Sequence, residues 1–412
     1  MLKSLSNNYL NLVIRKNNIM NDVVISGYAR TPLGSFQGDL SKISAPELGG
    51  ETIKKAILES GVNFDDIEEV IMGCVLQAGI GQAPARQAGF NAGLSKYIPA
   101  VTVNKMCGSG LKTVIMGSEQ IKAKTNNVLV SGGMESMTNA PYLSKKYREG
   151  ARIGHAKMYD HMFLDGLEDA YEEGRLMGSF AEDCARNYQF TRIQQDEYAI
   201  KSLENALSAQ KMGLFENEIV PVKISKKNKE EILITEDQQP KRSNPTKIPT
   251  LKPAFLNDGT VTAANSSSIS DGAAALVICS QKYAEEKNLK IKARIKGYTG
   301  HAHEPGWFTT APITATHKLL SLIKWSTEEV DLWEVNEAFA VVPMAFMKEL
   351  KISREKINVN GGACSLGHPI GASGARILVS LINALKQRDL KKGVAAICIG
   401  GGEALAIAIE VD

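Results

Sequence analysis

No stretch of this chain approaches the ~20 consecutive apolar residues that a membrane-spanning helix needs, so a helical span is not expected. Cysteine is sparse. The six residues, at 74, 107, 184, 279, 364 and 398, form no paired CxxC units. That pattern lacks a disulfide framework and fits a reducing compartment. Neither sign of charge dominates: 48 Lys and Arg stand against 45 Asp and Glu, a net charge of +3. A balance that small leaves no electrostatic footprint for nucleic acid. Metal ligands do not cluster either. Cys364 and His368 have a spacing that a metal site could use, but no second ligand pair accompanies them, so no metal is expected. What remains is a 412-residue chain with 43% hydrophobic content, ample for one large core or two fused halves.

The first 19 residues stand apart. They carry Lys3, Arg15 and Lys16, no acidic residue and five asparagines. They lack both a secretory apolar core and the arginine-rich character of a transit peptide. An upstream start before Met20, or a disordered tail, is the reading. A cytoplasmic location is expected, with mitochondrial targeting as the alternative.

The first chemical signal is Asn104-Lys-Met-Cys107-Gly-Ser-Gly110. Ala100–Val103 reads as a short strand. Leu111, Val114, Ile115 and Ile121 recur at helical spacing. Cys107 therefore lies near a helix N-terminus, where free N–H groups and the dipole favour a thiolate. Gly108 and Gly110 would let substrate approach closely. Two readings are open on this segment alone: an activated sulfur nucleophile or a small buried core residue.

The C-terminal region bears on that choice. Gly361-Gly362 and Gly367-His368-Pro-Ile-Gly-Ala-Ser-Gly-Ala-Arg376 place one histidine in a glycine-rich turn ahead of a helical pattern. A histidine so held is a general-base candidate. Val394–Ile399 reads as a buried strand containing Cys398 and running into Gly400-Gly401-Gly402. Backbone N–H groups there could form an oxyanion hole. Asn336 and Glu337, in Trp333-Glu-Val-Asn-Glu-Ala-Phe-Ala340, are polar residues in an apolar context. They could orient a water or the imidazole, or cap a helix.

These motifs together resemble the thiolase family, from about Asp22 to Asp412, and the acetoacetyl-CoA-forming branch most. The resemblance implies a five-layer αβαβα fold of two duplicated halves. Residues 20–138 with 269–290 would form the N-terminal half and 291–412 the C-terminal half. Residues 139–268 would form a coenzyme A-binding loop domain, and 1–19 an extension. It implies an acetyl-CoA C-acetyltransferase with no cofactor beyond its coenzyme A thioester substrates; the alternative is a broad-range degradative 3-ketoacyl-CoA thiolase. Cys107 would carry the acyl group, His368 would take its proton, and Cys398 would work on the carbon acid. Asn336 would hold a water at one oxyanion site. The N–H groups of Cys107 and Gly400 would form the other. Leu167, Met177, Arg242, Phe255, Ala263, Ser267, Ile269, Phe308 and Phe339 match positions along the coenzyme A and acyl groove, and Lys241 is a further basic candidate. The family also implies a homotetramer built as a dimer of dimers, with Met134–Lys146 in the tetramer-forming loop.

The residues support duplication in their own right. Both halves show Val-Asn before a glycine-rich turn and helix (Val103-Asn104, Val359-Asn360), then an apolar strand ending in glycines. Alternating strand and helix points to a layered α/β fold, with helices over 45–60 and 82–92 and strands at 22–26, 70–75 and 127–135. Between them, 223–253 holds eight basic and four acidic residues with four prolines, and reads as an exposed irregular excursion. Two departures from the family pattern stand out: Leu176 where a histidine is usual, and Glu403 after the glycine triplet. A decarboxylating ketoacyl synthase on the same fold would lack Cys398. A non-catalytic acyl-binding relative would not need all four polar groups.

Overall fold

The computed structural model describes residues 22–225 and 231–412; the extension at 1–19 lies outside them. Its first strand, β1 (Val23–Arg30), is buried along its whole length. Val24 joins one hydrophobic cluster and Ile25 another. A strand reads as continuously apolar when helices cover both of its faces. Helix α1 (Ala45–Ser60) follows and covers one of them. Ser44 Oγ accepts from the Glu47 N–H, the Glu47 carboxylate accepts from the Ser44 N–H at 2.8 Å, and Gly61 at φ +74° ends the helix. This is a capping box with a left-handed C-terminal stop, and its limits are those expected.

The remaining framework is β2 (Val70–Gly73), α2 (Pro84–Asn91), β3 (Ala100–Val103), α3 (Ser109–Ala123), β4 (Val128–Ser136), α4 (Met177–Tyr188), α5 (Arg192–Lys211), β5 (Ser270–Ser280), β6 (Ala293–Ala302), α6 (Ala311–Ile323), β7 (Leu332–Val335), α7 (Val341–Leu350), α8 (Ser373–Gln387), β8 (Lys392–Ile399) and β9 (Glu403–Glu410). The strands order as β7-β8-β9-β6-β1-β5-β4-β2-β3, with Gly34–Ser35 beside β5. The two half-sheets meet at β1 and β6 through only two residue pairs, Val24 with Arg294 and Ile25 with Ala293.

The halves repeat each other. In the first, β2 runs parallel to β4, β4 antiparallel to β5, and β5 antiparallel to β1. In the second, β7, β8, β9 and β6 repeat that sequence of pairings. A register shift precedes Gly27 in β1 and Gly297 in β6. At both, a Cβ would collide with the covering helix, at 2.2 Å from Ala56 O and 2.5 Å from Ile323 Cγ2.

Burial parity defines five layers. Val24, Val70, Met72 and Val277 pack under α1 and α2. Ile25, Ile71, Ile278, Ile397 and Ile407 enclose α3 and α8. Ala396, Ala406 and Ala408 pack under α6 and α7. Helix α8 is buried from Ser373 through Leu385, as a helix between two sheets must be. No helix among the described residues is long and apolar enough to cross a membrane.

The segment expected as an irregular excursion is more anchored than its composition suggests. Val222–Ser225 pairs with Glu231–Ile234, and a short helix covers Gln238–Arg242. Asp237, just before it, is fully buried. It accepts from Arg30 Nη1 at 2.6 Å and Nη2 at 2.9 Å, while Glu218 accepts from Arg30 Nε at 2.5 Å. A guanidinium buried in the N-terminal half needs these counter-ions, because an unpaired buried charge is strongly destabilising.

Candidate active site

Between β3 and α3 the chain makes a tightly bonded turn. Asn104 Oδ1 accepts from the Met106 N–H at 3.0 Å. Ser109 Oγ accepts from the Lys105 N–H at 2.8 Å and donates to Met106 O at 2.7 Å. Met106 sits at φ +46°, a conformation uncommon outside glycine. At Gly108 a Cβ would lie 2.4 Å from Ile399 Cδ1, so the turn packs directly on the strand carrying Cys398. Cys107 is thereby fixed two residues ahead of α3.

The helix terminus that favours a thiolate at this position is opposed by burial. Burial of the sulfur pushes the Cys107 thiol up to about 11, although the Gly400 N–H and its own N–H both donate toward it. Desolvation outweighs the helix terminus, so the thiol is the resting form at neutral pH.

His368 follows Gly367, whose φ of +121° and crowded Cβ position, 2.2 Å from Ser270 Oγ, demand glycine. The imidazole is buried. Its Nδ1 lies 2.5 Å from Ser373 Oγ, and that hydroxyl donates to Pro369 O at 2.9 Å. A hydroxyl has one proton to give. Ser373 therefore accepts from Nδ1–H, which leaves Nε2 as the basic nitrogen. Asn336 Nδ2 faces Nε2 at 3.5 Å. Burial, and then the charge of Arg376, push His368 down to about 3, so the ring is neutral.

Asn336 is held by its N–H to Ala396 O at 3.0 Å, two residues before Cys398 on β8. Its Oδ1 is buried and has no protein partner. Cys398 is fully buried. Burial first, and the nearby Cys107 sulfur second, hold its thiol well above the usual range. Past it the chain turns through Gly401 and Gly402 at φ +94° and +85°. The four groups form one chain of neighbours: His368 against Asn336, Asn336 on the Cys398 strand, and Gly400 N–H on Cys107.

Glu337 does not join them. It accepts from Tyr198 Oη at 2.9 Å, Ser202 Oγ at 2.7 Å, Asn358 Nδ2 at 2.8 Å and the Cys364 N–H at 3.1 Å. Its carboxylate ties α5 to the C-terminal half and is unavailable to orient the imidazole. Cys364 Sγ faces Glu337 O, away from any second ligand. No group of three or more metal-ligating side chains occurs among the described residues.

The residues expected along a groove fall in separate places, Met177, Phe255, Phe308 and Phe339 in the apolar cluster that contains Cys398 and others elsewhere. Leu167 and Ile269 pack in one apolar cluster with Met106 and Cys107. Met177 Sδ lies against Gly400, where a Cβ would be 3.3 Å away. Phe255 and Phe339 meet edge to face with centroids 6.0 Å apart, and Phe308 lies 6.4 Å from Phe339. Gly178 admits the Phe255 ring, since a Cβ there would be 2.3 Å from it. The Ser267 N–H donates to Ala338 O at 2.9 Å. Arg242 and Ala263 line a cavity of about 260 Å³ together with Lys247. Lys241 instead pairs with Glu236. Leu176 stands at the start of α4.

Three residues that sequence reasoning did not single out also shape the site. Ser373 fixes the histidine tautomer. Glu135 accepts from the N–H groups of Val75 (3.0 Å), Leu76 (3.1 Å) and Gly371 (2.9 Å), joining the two halves beside His368, and burial pushes its carboxyl up to about 7. Lys105 reaches across to Glu403, an ion pair linking the Cys107 turn to the strand after Gly402. Ser373 lay within the quoted glycine-rich motif, but its hydroxyl carried no signal apart from the ring it touches.

Comparison with known proteins agrees with this architecture. Residues 23–282 match the family description "Thiolase, N-terminal domain" and residues 289–411 match "Thiolase, C-terminal domain". Acetyl-CoA acetyltransferase 2 of Arabidopsis thaliana is 47% identical over 392 residues, 95% of this chain and 97% of that protein. Acetyl-CoA acetyltransferase of Saccharomyces cerevisiae is 48% identical over 397 residues, 94% of this chain and 99% of that protein. The crystal structure of Bacillus anthracis acetyl-CoA acetyltransferase superposes with a TM-score of 0.93 at 39% identity, covering 96% of this chain and all of that one. Acat5 thiolase from Ascaris suum, solved in complex with coenzyme A, gives 0.89 at 44% identity over 95% of this chain. With both family domains matched in order and two duplicated half-sheets enclosing α3 and α8, the helices that follow Cys107 and His368, the chain belongs to the thiolase family.

Proposed function

We propose that this protein is an acetyl-CoA C-acetyltransferase, which interconverts two acetyl-CoA with acetoacetyl-CoA and coenzyme A through an acetyl-Cys107 intermediate. The observation that carries this reading is the meeting of two cysteines, Cys107 with the Gly400 N–H directed at its sulfur and Cys398 close enough for the two sulfurs to influence each other, beside an imidazole whose Nδ1 is held by Ser373. One cysteine suits acyl transfer. A second serves carbon–carbon bond chemistry.

A resting thiol and a neutral imidazole form no standing ion pair. Proton transfer from Cys107 to His368 Nε2 belongs in the attack itself, as charge develops on the thioester oxygen. The N–H groups of Cys107 and Gly400 are the donors proposed for that charge, and one such donor typically contributes about 3 kcal/mol in the transition state. In thiolysis, Cys107 attacks the 3-keto carbon of acetoacetyl-CoA. The departing acetyl-CoA enolate takes the proton of Cys398, which its raised pKa keeps in place. In condensation, Cys398 has first given that proton to the leaving coenzyme A and then removes one from the acetyl methyl. His368 Nε2, once protonated, and a water on Asn336 Oδ1 are the donors proposed for the enolate oxygen.

The three rings Phe255, Phe308 and Phe339 favour a short acyl group over the broad-range alternative. Leu176, where the family pattern has a histidine, leaves a polar contact near the pantetheine or acyl group missing or replaced and argues for a wider pocket. Arg242 in its cavity is the proposed partner of the coenzyme A phosphates. A homotetramer (dimer of dimers) is proposed from the family resemblance, and a cytoplasmic location from the scattered cysteines and the composition of residues 1–19. The test is thiolysis: loss of acetoacetyl-CoA in the presence of free coenzyme A, with kcat/KM compared against 3-ketohexanoyl-CoA. A faster acetoacetyl-CoA reaction is expected. Equal or higher values for the longer chain would assign the broad-range class.

A further inference from the structure

Helix α8 begins at Ser373 in the active site and ends about 20 Å away, at the 1.5 Å rise of a helix, at a second cluster of reactive groups. There Lys386 lines a cavity of about 430 Å³ with Lys290 and Lys292, which enter from the segment before β6. Lys55 and Glu59 of α1 also line it, but they pair with each other at 2.6 Å. Among the described residues, Lys290, Lys292 and Lys386 have no carboxylate at ion-pair distance. Glu216 and Tyr28 complete the titratable lining, and Asp412 acts on Lys386 from the chain end. The neutral lining does not supply the missing charge. Asn383 donates to Leu214 O at 2.8 Å and to Glu218 at 2.9 Å. Gln387 donates to Leu214 O, and its Oε1 is buried without a partner. Three ammonium groups therefore share one half-enclosed space.

We propose that Lys386 is an acyl-acceptor lysine that takes acetyl directly from acetyl-CoA, at a site separate from Cys107. A lysine beside other cations loses its proton more easily and becomes nucleophilic. Here burial, then Lys292 and Lys290, push the amine down to about 8. The neutral amine attacks the thioester carbonyl. A C–N bond forms, the C–S bond breaks, the nitrogen gives up a proton and coenzyme A leaves as the thiol. The amide product carries no charge, so the step removes one of three mutually repelling cations. Lys290 and Lys292 also offer positive charge to the phosphates of the donor. Lysines held in ion pairs, such as Lys55 or Lys392, would lose a partner in the same step.

The experiment incubates the full-length protein with acetyl-CoA and follows each lysine by peptide mass spectrometry. Lys54 and Lys252, exposed and in no ion pair among the described residues, are the references. An amine at about 8 rather than 10.5 is deprotonated far more often at pH 7.5, partly offset by lower intrinsic nucleophilicity, so Lys386 is expected to acetylate about 10- to 100-fold faster. Replacing Lys290 and Lys292 by alanine should remove most of that advantage and move the rate profile to higher pH. Cys107→Ala should leave the Lys386 rate unchanged, since acetyl-CoA serves only as reagent and the proposed catalytic cycle is not required. Acetylation of Lys386 no faster than Lys54, or no change on removing the two lysines, overturns the proposal. Loss of the reaction in Cys107→Ala overturns direct transfer.

Discussion

Replacing Ser373 with alanine tests the histidine arrangement most directly. The hydroxyl makes two contacts, with His368 Nδ1 at 2.5 Å and Pro369 O at 2.9 Å. The second is dispensable, because Pro369 O also accepts from the N–H groups of Ala372 and Ser373 at 2.9 Å each. The first is not. Without it Nδ1–H is a buried donor with no partner, a loss of about 1–3 kcal/mol. The ring then has an alternative. Moving its proton to Nε2, with a flip of the Asn336 amide that now faces it through Nδ2, lets it donate to Asn336 Oδ1, the buried acceptor that lacks a protein partner. The reactive tautomer becomes the minor one by up to that energy, which corresponds to about 5- to 150-fold in acylation rate. Rapid-quench measurement of acetyl-Cys107 formation from acetoacetyl-CoA reads this, with urea unfolding run in parallel. Ser373→Thr, which keeps a hydroxyl, should recover most of the rate. An acylation rate within twofold of the parent, or a threonine variant as slow as alanine, would refute the tautomer assignment.

Cys398→Ser should still form the acetyl-enzyme yet lose condensation by roughly 10²–10⁴-fold, whereas Cys107→Ser should lose both; equal loss of acylation in the two would make Cys398 a support for the nucleophile. Glu403→Gln breaks the pair with Lys105, and for a partly exposed pair the unfolding free energy should change by less than about 1 kcal/mol, while kcat falls several-fold because the Cys107 turn loses its tie to the Gly400 loop; an unchanged kcat counts against that coupling. The pH dependence of stability follows from His368, held near 3 when folded and titrating at the ordinary 6.5 when unfolded. A depressed pKa contributes stability that is present above 6.5 and is lost as pH falls toward 3. Urea midpoints between pH 7 and 4 should therefore fall more steeply for the parent than for His368→Gln; parallel curves would contradict a buried neutral imidazole.

Most of the candidate site was legible because Cys107, His368 and Cys398 each sit in a local glycine pattern. Gly108, Gly367 and Gly402 are needed where a Cβ would strike neighbouring strands or loops; Cys107 and His368 adjoin the first two, and Cys398 opens the run that leads into the third. Helix α1 was legible from Ser44, Glu47 and Gly61. The rest depended on contacts far apart in sequence. Arg30 and Asp237 are 207 residues apart, so nothing local marked 223–253 as anchored. Glu337 looked like a site residue because it adjoins Asn336. Its partners on α5 and in the Asn358–Ser365 segment, which give it a structural role, are invisible to motif reading. The protonation state of Cys107 followed local helix geometry in the sequence and followed burial in the fold. Burial is a property of five layers together.

The glycines at the centre set how this enzyme can drift. Gly371 O sits where a Cβ on Gly133 would come within 2.0 Å, one on Gly73 within 2.7 Å and one on Gly110 within 3.1 Å. Main chain from the two halves is in direct contact there, with no side chain between. The spacing of the cysteine turn from the histidine turn is thus ruled by peptide groups, whose size no substitution alters. Core residues in either half can be exchanged and repacked over many generations while that ruler keeps its length. The two halves are free to diverge everywhere except where they touch.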